Sequence, residues 1–232
     1  GDGANNTAAI VFGGGSPSVS NATETWNGTS WTEVNNLNTA REQLAGAGIS
    51  TAAIGFGGTT NSLVLNELWN GTNWTEVNNL NVGREQLQGC GLSTAALAIG
   101  GNDGTTAAVA KNEVWNGTNW VEDGDLNTGI RLGGAAGTSS TGLAFAGQNA
   151  SNTKLAGAEE FTGAGANIGA WATGGSMNTA RNLNSRAGIY TSALTFGGGN
   201  SAHTEKYSGS AWTELNNLNT ARNSISGFGA SG

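Results

Sequence analysis

Five arginines recur at intervals of a few dozen residues: Arg41, Arg84, Arg131, Arg181 and Arg222. Five glutamates recur beside them: Glu24, Glu67, Glu113, Glu160 and Glu205. A ring of guanidinium groups could clamp an anion. The same groups could also be tied down one by one, because a planar guanidinium is satisfied bidentately by a carboxylate even where water is scarce. A residue repeated once per structural unit usually serves the unit, so these ten are read as a structural Arg/Glu set.

Other chemistry-bearing residues are few. His203 is the single histidine, which excludes a histidine cluster for zinc or copper. Cys90 stands alone, so no internal disulfide forms, and a lone thiol is expected to pack as a small hydrophobe. Tyr190 and Tyr207 fall at core-type positions. Asp103 and the Asp123–Asp125 pair are loop acids without a full oxygen-ligand pattern for calcium. The expectation is therefore no catalytic residue, no metal and no cofactor. Asn-x-Ser/Thr occurs at several positions, Asn5, Asn21, Asn27, Asn70, Asn116 and Asn149 among them, and three of these six are turns of the repeat.

Composition narrows the partners. The formal charge is -7 over 232 residues, which repels a phosphate backbone, and no basic patch is visible, so nucleic acid is not an expected partner. No apolar run approaches the ~18 residues of a membrane span, so no membrane insertion is expected. Charged residues are only 11% while hydrophobics reach 37%, a balance that favours a packed chain over disorder.

The elements that must position these residues come from an internal repeat. Glu24–Gly58 returns in large part as Glu67–Gly101, and weaker copies follow near Glu113, Glu160 and Glu205. A threonine before a short apolar run marks each unit, at Thr7, Thr51, Thr94, Thr141 and Thr191. Such a period is that of a propeller blade with four short strands. The first strand is small-residue (Leu44–Gly48, Leu87–Gly91), and the second is the apolar run that ends in Gly-Gly. The third carries Glu-x-Trp (Glu67, Trp69), and the fourth starts at a second Trp (Trp74). Asn-Gly between the last two is a strong hairpin signal, since both residues tolerate positive φ. In the fourth unit Gln148 replaces the second glycine, and in NTGIR Ile130 takes the arginine slot with Arg131 one residue late. The chain begins at a second strand, and Asn219–Gly232 copies the segment Asn38–Ser50. The predicted fold is all-β: residues 1–232 form a single five-bladed β-propeller of four-stranded antiparallel blades, closed by sharing one blade between N- and C-termini.

The apolar run ending in Gly-Gly, Glu-x-aromatic, the following Trp and the loop ending in Arg together resemble the kelch repeat, over nearly the whole chain. The WNGTxWTE…NNLNTAR wording is similar to kelch-type repeats of marine phages and bacteria. The resemblance implies a β-propeller. Copper radical oxidases with this fold need Tyr, Cys and His ligands that this chain lacks, and sialidase-like propellers need Asp boxes that are absent here.

Loops between second and third strands break the repeat, and binding residues collect on such loops. Asn61, Asn102, Asp103, Asn149, Asn152 and His203 are the candidate ligand-binding residues, each also explicable as a solvated loop residue. The expected function is a non-catalytic recognition module, extracellular or on a virion surface, such as a phage tail, fibre or decoration component. Its expected partner is a surface glycan or a structural protein. The alternatives are a multivalent lectin with sugar pockets between blades, and an unrecognised hydrolase or lyase.

Overall fold

A computed structural model describes residues 2–5, 7–15, 17–59, 64–105, 107–163, 169–225 and 227. Its strands fall into five antiparallel four-stranded sheets, each made of strands consecutive in sequence, and no helix occurs among the described residues. Blade one is β1 (Asp2–Asn5), β2 (Ala8–Phe12), β3 (Thr23–Trp26) and β4 (Trp31–Val34). Blade two is β5 (Ala45–Ile49), β6 (Ala52–Phe56), β7 (Asn66–Trp69) and β8 (Trp74–Glu76). Blade three is β9 (Gln88–Leu92), β10 (Ala95–Ile99), β11 (Asn112–Trp115) and β12 (Trp120–Asp123). Blade four is β13 (Gly134–Gly137), β14 (Thr141–Phe145), β15 (Ala158–Thr162) and β16 (Ala170–Thr173). Blade five is β17 (Ser185–Ile189), β18 (Ser192–Phe196), β19 (Thr204–Tyr207) and β20 (Trp212–Glu214). The sheets are the blades of a five-bladed β-propeller, and the first strands of successive blades, β1 to β17, lie side by side around the axis.

Burial follows from this stacking. The second strands are covered on both faces, so they read as continuous apolar runs; Ile54, Phe56, Leu97 and Phe145 are fully buried. Between blades, an aromatic at the end of one second strand meets the fourth-strand Trp of the next blade: Phe12 lies 4.8 Å from Trp74, and Phe56 lies 4.8 Å from Trp120. Within a blade the hairpin pairs Trp69 with Trp74 and Trp115 with Trp120, at 5.6 and 5.5 Å. First strands crowd one another, which is why they are small: a Cβ on Gly89 would sit 2.8 Å from Gly46 O.

Three local expectations are corrected. The first strand of blade one is β1, supplied by the N-terminal residues themselves, and not by the C-terminal copy Asn219–Gly232. A tight β1–β2 turn costs far less closure entropy than joining the two ends of the chain. The register slips between Asp2–Ile10 and Asn5–Ala8, so β1 carries one extra residue. Of the C-terminal copy, residues 226 and 228–232 lie outside the described residues, while Gly227 lies against Phe196, Ser185 and Arg186 of blade five. The hairpins also differ from a two-residue turn. Asn27 to Ser30 form a four-residue loop in which Gly28 alone has positive φ, and the Asn27 side chain accepts from Thr29 and Ser30 N–H. In blade four the register shows that Ala146 replaces the first glycine of Gly-Gly, with φ of 62°, and Gly147 is the second.

One seam is more exposed than the rest at its fourth-strand Trp. Trp31 is 41% exposed, whereas its equivalents Trp74, Trp120, Trp171 and Trp212 are 5, 4, 7 and 6% exposed. This seam lies where blade one meets the end of blade five.

Candidate functional site

Blades two, three and five are each entered by a connector that descends from the preceding fourth strand and carries the repeated arginine. Arg41 donates from Nη2 to Glu67 Oε1 at 2.9 Å and from Nη1 to the carbonyls of Gly57 and Leu65 at 2.8 and 3.0 Å. Arg84 does the same with Glu113 (2.8 Å), Gly100 O (2.8 Å) and Lys111 O (2.9 Å). Arg181 pairs with Glu205 and donates to His203 O at 2.7 Å. The second oxygen of each glutamate accepts from an asparagine of the connector, as Asn38 N and Nδ2 do to Glu67 Oε2, both at 2.8 Å. All three guanidinium groups are buried. Burial pulls Arg41 and Arg84 below the ordinary guanidinium value, against the opposing pull of Glu67 and Glu113.

The other members of the Arg/Glu set take different places. Glu159, not Glu160, occupies the position of Glu67 and Glu113, because Phe161 aligns with Trp115 in the strand register. Glu160 points to the opposite face of β15 and accepts hydroxyl protons from Tyr190, at 2.7 Å, and Tyr207. Desolvation and Glu160 together push the Tyr207 phenol well up. Arg131 faces the axis, donating to Gln86 Oε1 at 2.5 Å and to Asn152. Arg222 and Glu24 are both exposed and make no ion pair with each other.

The connectors meet over the axis. Gln86 N donates to Gln43 O, Leu132 N to Gln86 O, and Leu183 N to Leu132 O, each at 2.9 Å, and Ser224 N donates to Leu183 O at 3.2 Å. All five residues have positive φ, between 50° and 57°. Such strain in non-glycine residues persists only where surrounding structure fixes it, and it clusters at functional places. This circlet surrounds a depression of about 420 Å³. Gln43, Gln86, Asn184 and Glu42 are among its polar groups, and Leu44 and Leu87 are among its aliphatic ones. Below, Arg186 of β17 donates across the axis to Gly89 O of β9 at 2.9 Å. The depression can bind a ligand with hydroxyl or amide groups on one side and C–H surface on the other.

The candidate loop residues lie on this same face, since Asn102 bridges Glu85 and Gln148 bridges Arg131 through backbone pairs. Among the described candidates, Asn152 reaches the axial network, through Arg131. Asn102 Nδ2 donates to Glu85 Oε1 at 3.3 Å, while Asp103 and Asn149 accept from their own turns. His203 meets Glu214 at 2.8 Å on the blade's outer side, and that contact holds the Glu214 carboxyl below the usual range. Asn61 lies outside the described residues. The circlet residues and Arg186 were not singled out in the sequence. Arg186 did leave a signal, because it stands where the sister strands have Gly46, Gly89 and Ala135.

No family model matches the chain, and no curated protein matches it. Solved structures do match. One, titled "Structure of YjhT", superposes with a TM-score of 0.74 at 15% identity, over 98% of this chain and 86% of that one. At that identity the likeness bears on architecture alone, and what this chain is similar to is a β-propeller.

Proposed function

We propose that the protein is a non-catalytic recognition module whose axial face binds a glycan or a structural protein on a surface. The observation that carries this reading is the depression within the strained circlet, where amides and a carboxylate stand over an aliphatic collar. Sugars present that combination of hydroxyl edges and C–H faces. The repeated units are read as kelch-type repeats, on the Gly-Gly, Glu-x-aromatic and Arg spacing. Their likeness in wording to phage and bacterial repeats supports placement on a virion or cell surface, as part of a tail, fibre or decoration.

The lectin alternative, with one sugar pocket per seam, is disfavoured by one specific observation. Arg41, Arg84 and Arg181 with their glutamates already fill three of the seams. An unrecognised hydrolase or lyase would need a nucleophile and base in mutual reach, and among the described residues no hydrogen bond joins the Ser224 hydroxyl of the depression to the Glu42 carboxylate. Calorimetric titration of hexoses and N-acetylhexosamines tests the glycan reading. Saturable binding that disappears in a Gln86→Ala, Asn184→Ala double variant supports it. Binding that the double variant leaves unchanged overturns it.

A further inference from the structure

The seam between blades three and four departs from its sisters at three coordinated positions. Ile130 stands where Arg41, Arg84 and Arg181 stand: its N–H donates to Val109 O as the Arg181 N–H does to Leu155 O, and its carbonyl accepts from Gly101 N as the Arg41 carbonyl does from Gly14 N. Gly157 stands where Leu65, Lys111 and His203 stand, its carbonyl accepting from Ala146 N as theirs accept from Gly57, Gly100 and Gly197. Thr173 pairs with Glu159, where the sister strands pair Glu76 with Glu67 and Glu122 with Glu113.

The glutamate itself is kept. Glu159 is 8% exposed and accepts from Asn127 N (2.7 Å), Asn127 Nδ2 (2.8 Å) and Thr128 N (3.0 Å), the cradle its sisters use. At Glu113, Oε1 accepts both from Val82 N and from the Arg84 guanidinium. At Glu159, Oε1 has the Thr128 donor, and its arginine donor is replaced by an aliphatic side chain. Ile130 is too short to fill the space, and a cavity of about 130 Å³ remains, bounded by Glu159, Ile130, Leu155, Gly157 and Thr173. That is several times what one water needs. Thr128, Gly157 and Thr173 are exposed, so the cavity has a mouth. A Cβ added at Gly157 would meet nothing within 4 Å.

We propose that this cavity is a binding site for an alkylguanidinium group supplied from outside the seam. The ligand would donate to Glu159 Oε1 and to the Gly157 carbonyl, as Arg41 donates to Glu67 and the Leu65 carbonyl, with its alkyl stem along Ile130 and Leu155. Loss of the second acid at Thr173 leaves one carboxylate for one cation. The shared chemistry fits a free alkylguanidinium or an arginine side chain of another protein.

Calorimetry or NMR titration with methylguanidinium, and separately with a capped Gly-Arg-Gly peptide, tests this. One saturable site per chain is expected at millimolar concentration. A peptide that binds at least as well as methylguanidinium identifies an arginine side chain as the natural occupant, and the reverse order identifies a small molecule. Affinity falls at least tenfold in Glu159→Gln and in Ile130→Arg, which supplies the sisters' own guanidinium. Gly157→Leu, which restores the second blade's rim without touching Glu159 or Ile130, has the same effect and serves should either of the others fold poorly. No saturable binding by either probe, equal binding of methylammonium, or unchanged affinity in Gly157→Leu overturns the proposal.

Discussion

Arg84 and Glu113 form a buried ion pair at 2.8 Å, with side-chain exposures of 0 and 1%, that fastens the incoming connector to the third blade. Removing one partner leaves the other charged and dry, a loss of about 3–5 kcal/mol. Arg84→Ala is expected to lower stability by that amount in urea unfolding. Lys111→Ala removes an exposed contact with Glu122 and Asp125 and is expected to cost less than ~1 kcal/mol. Equal effects of the two substitutions would refute the scaffold role of the arginines.

The first strand of blade one comes from the N-terminus, so deleting residues 1–6 opens the edge of β2, whose Ile10 is fully buried. A loss of at least ~2 kcal/mol is expected, roughly 4–8 °C in melting temperature for a chain of this size. A melting temperature within ~2 °C of the parent would show that β1 contributes nothing to the blade.

Tyr207 carries a pH prediction. Its phenol is raised above the ordinary value near 10, first by burial and then by its bond to Glu160, so folding favours the neutral hydroxyl. That contribution is complete below pH ~10 and is lost as pH climbs past 10 toward the folded-state value. Tyr207→Phe is expected to cost about 1.5–3 kcal/mol at pH 8, in line with a hydrogen bond to a charged acceptor. Its stability should then fall less than the parent's between pH 9.5 and 11. Parallel declines for the two proteins would place the alkaline titration elsewhere.

The blade count was legible because repeated Thr, Trp and Arg positions mark every unit, and the first-strand glycines announce close approach of backbones. Three things were hidden for physical reasons. Glu159 and Glu160 are adjacent, and only the strand register says which faces the seam. Asp2–Asn5 is short and carries a bulge, so Gly3 and Ala4 alone stand for the longer small-residue pattern of its sisters, which the C-terminal copy repeats more visibly. The axial circlet is made of backbone hydrogen bonds among Gln43, Gln86, Leu132, Leu183 and Ser224, and side-chain type says little about where backbone carbonyls meet. Ile130 was visible as a departure, but that it opens a cavity above Glu159 depends on packing.

A glycan array probed with the parent protein, Gln43→Trp and Thr118→Ala separates the two faces. Gln43 is exposed at the rim of the axial depression, so a tryptophan there blocks it, whereas Thr118 lies in a hairpin turn on the opposite face. The expected result is retention of the parent by at least one glycan, a loss of at least tenfold, ~1.4 kcal/mol, in Gln43→Trp, and no change in Thr118→Ala. Retention untouched by Gln43→Trp and abolished by Thr118→Ala would contradict binding at the axial face.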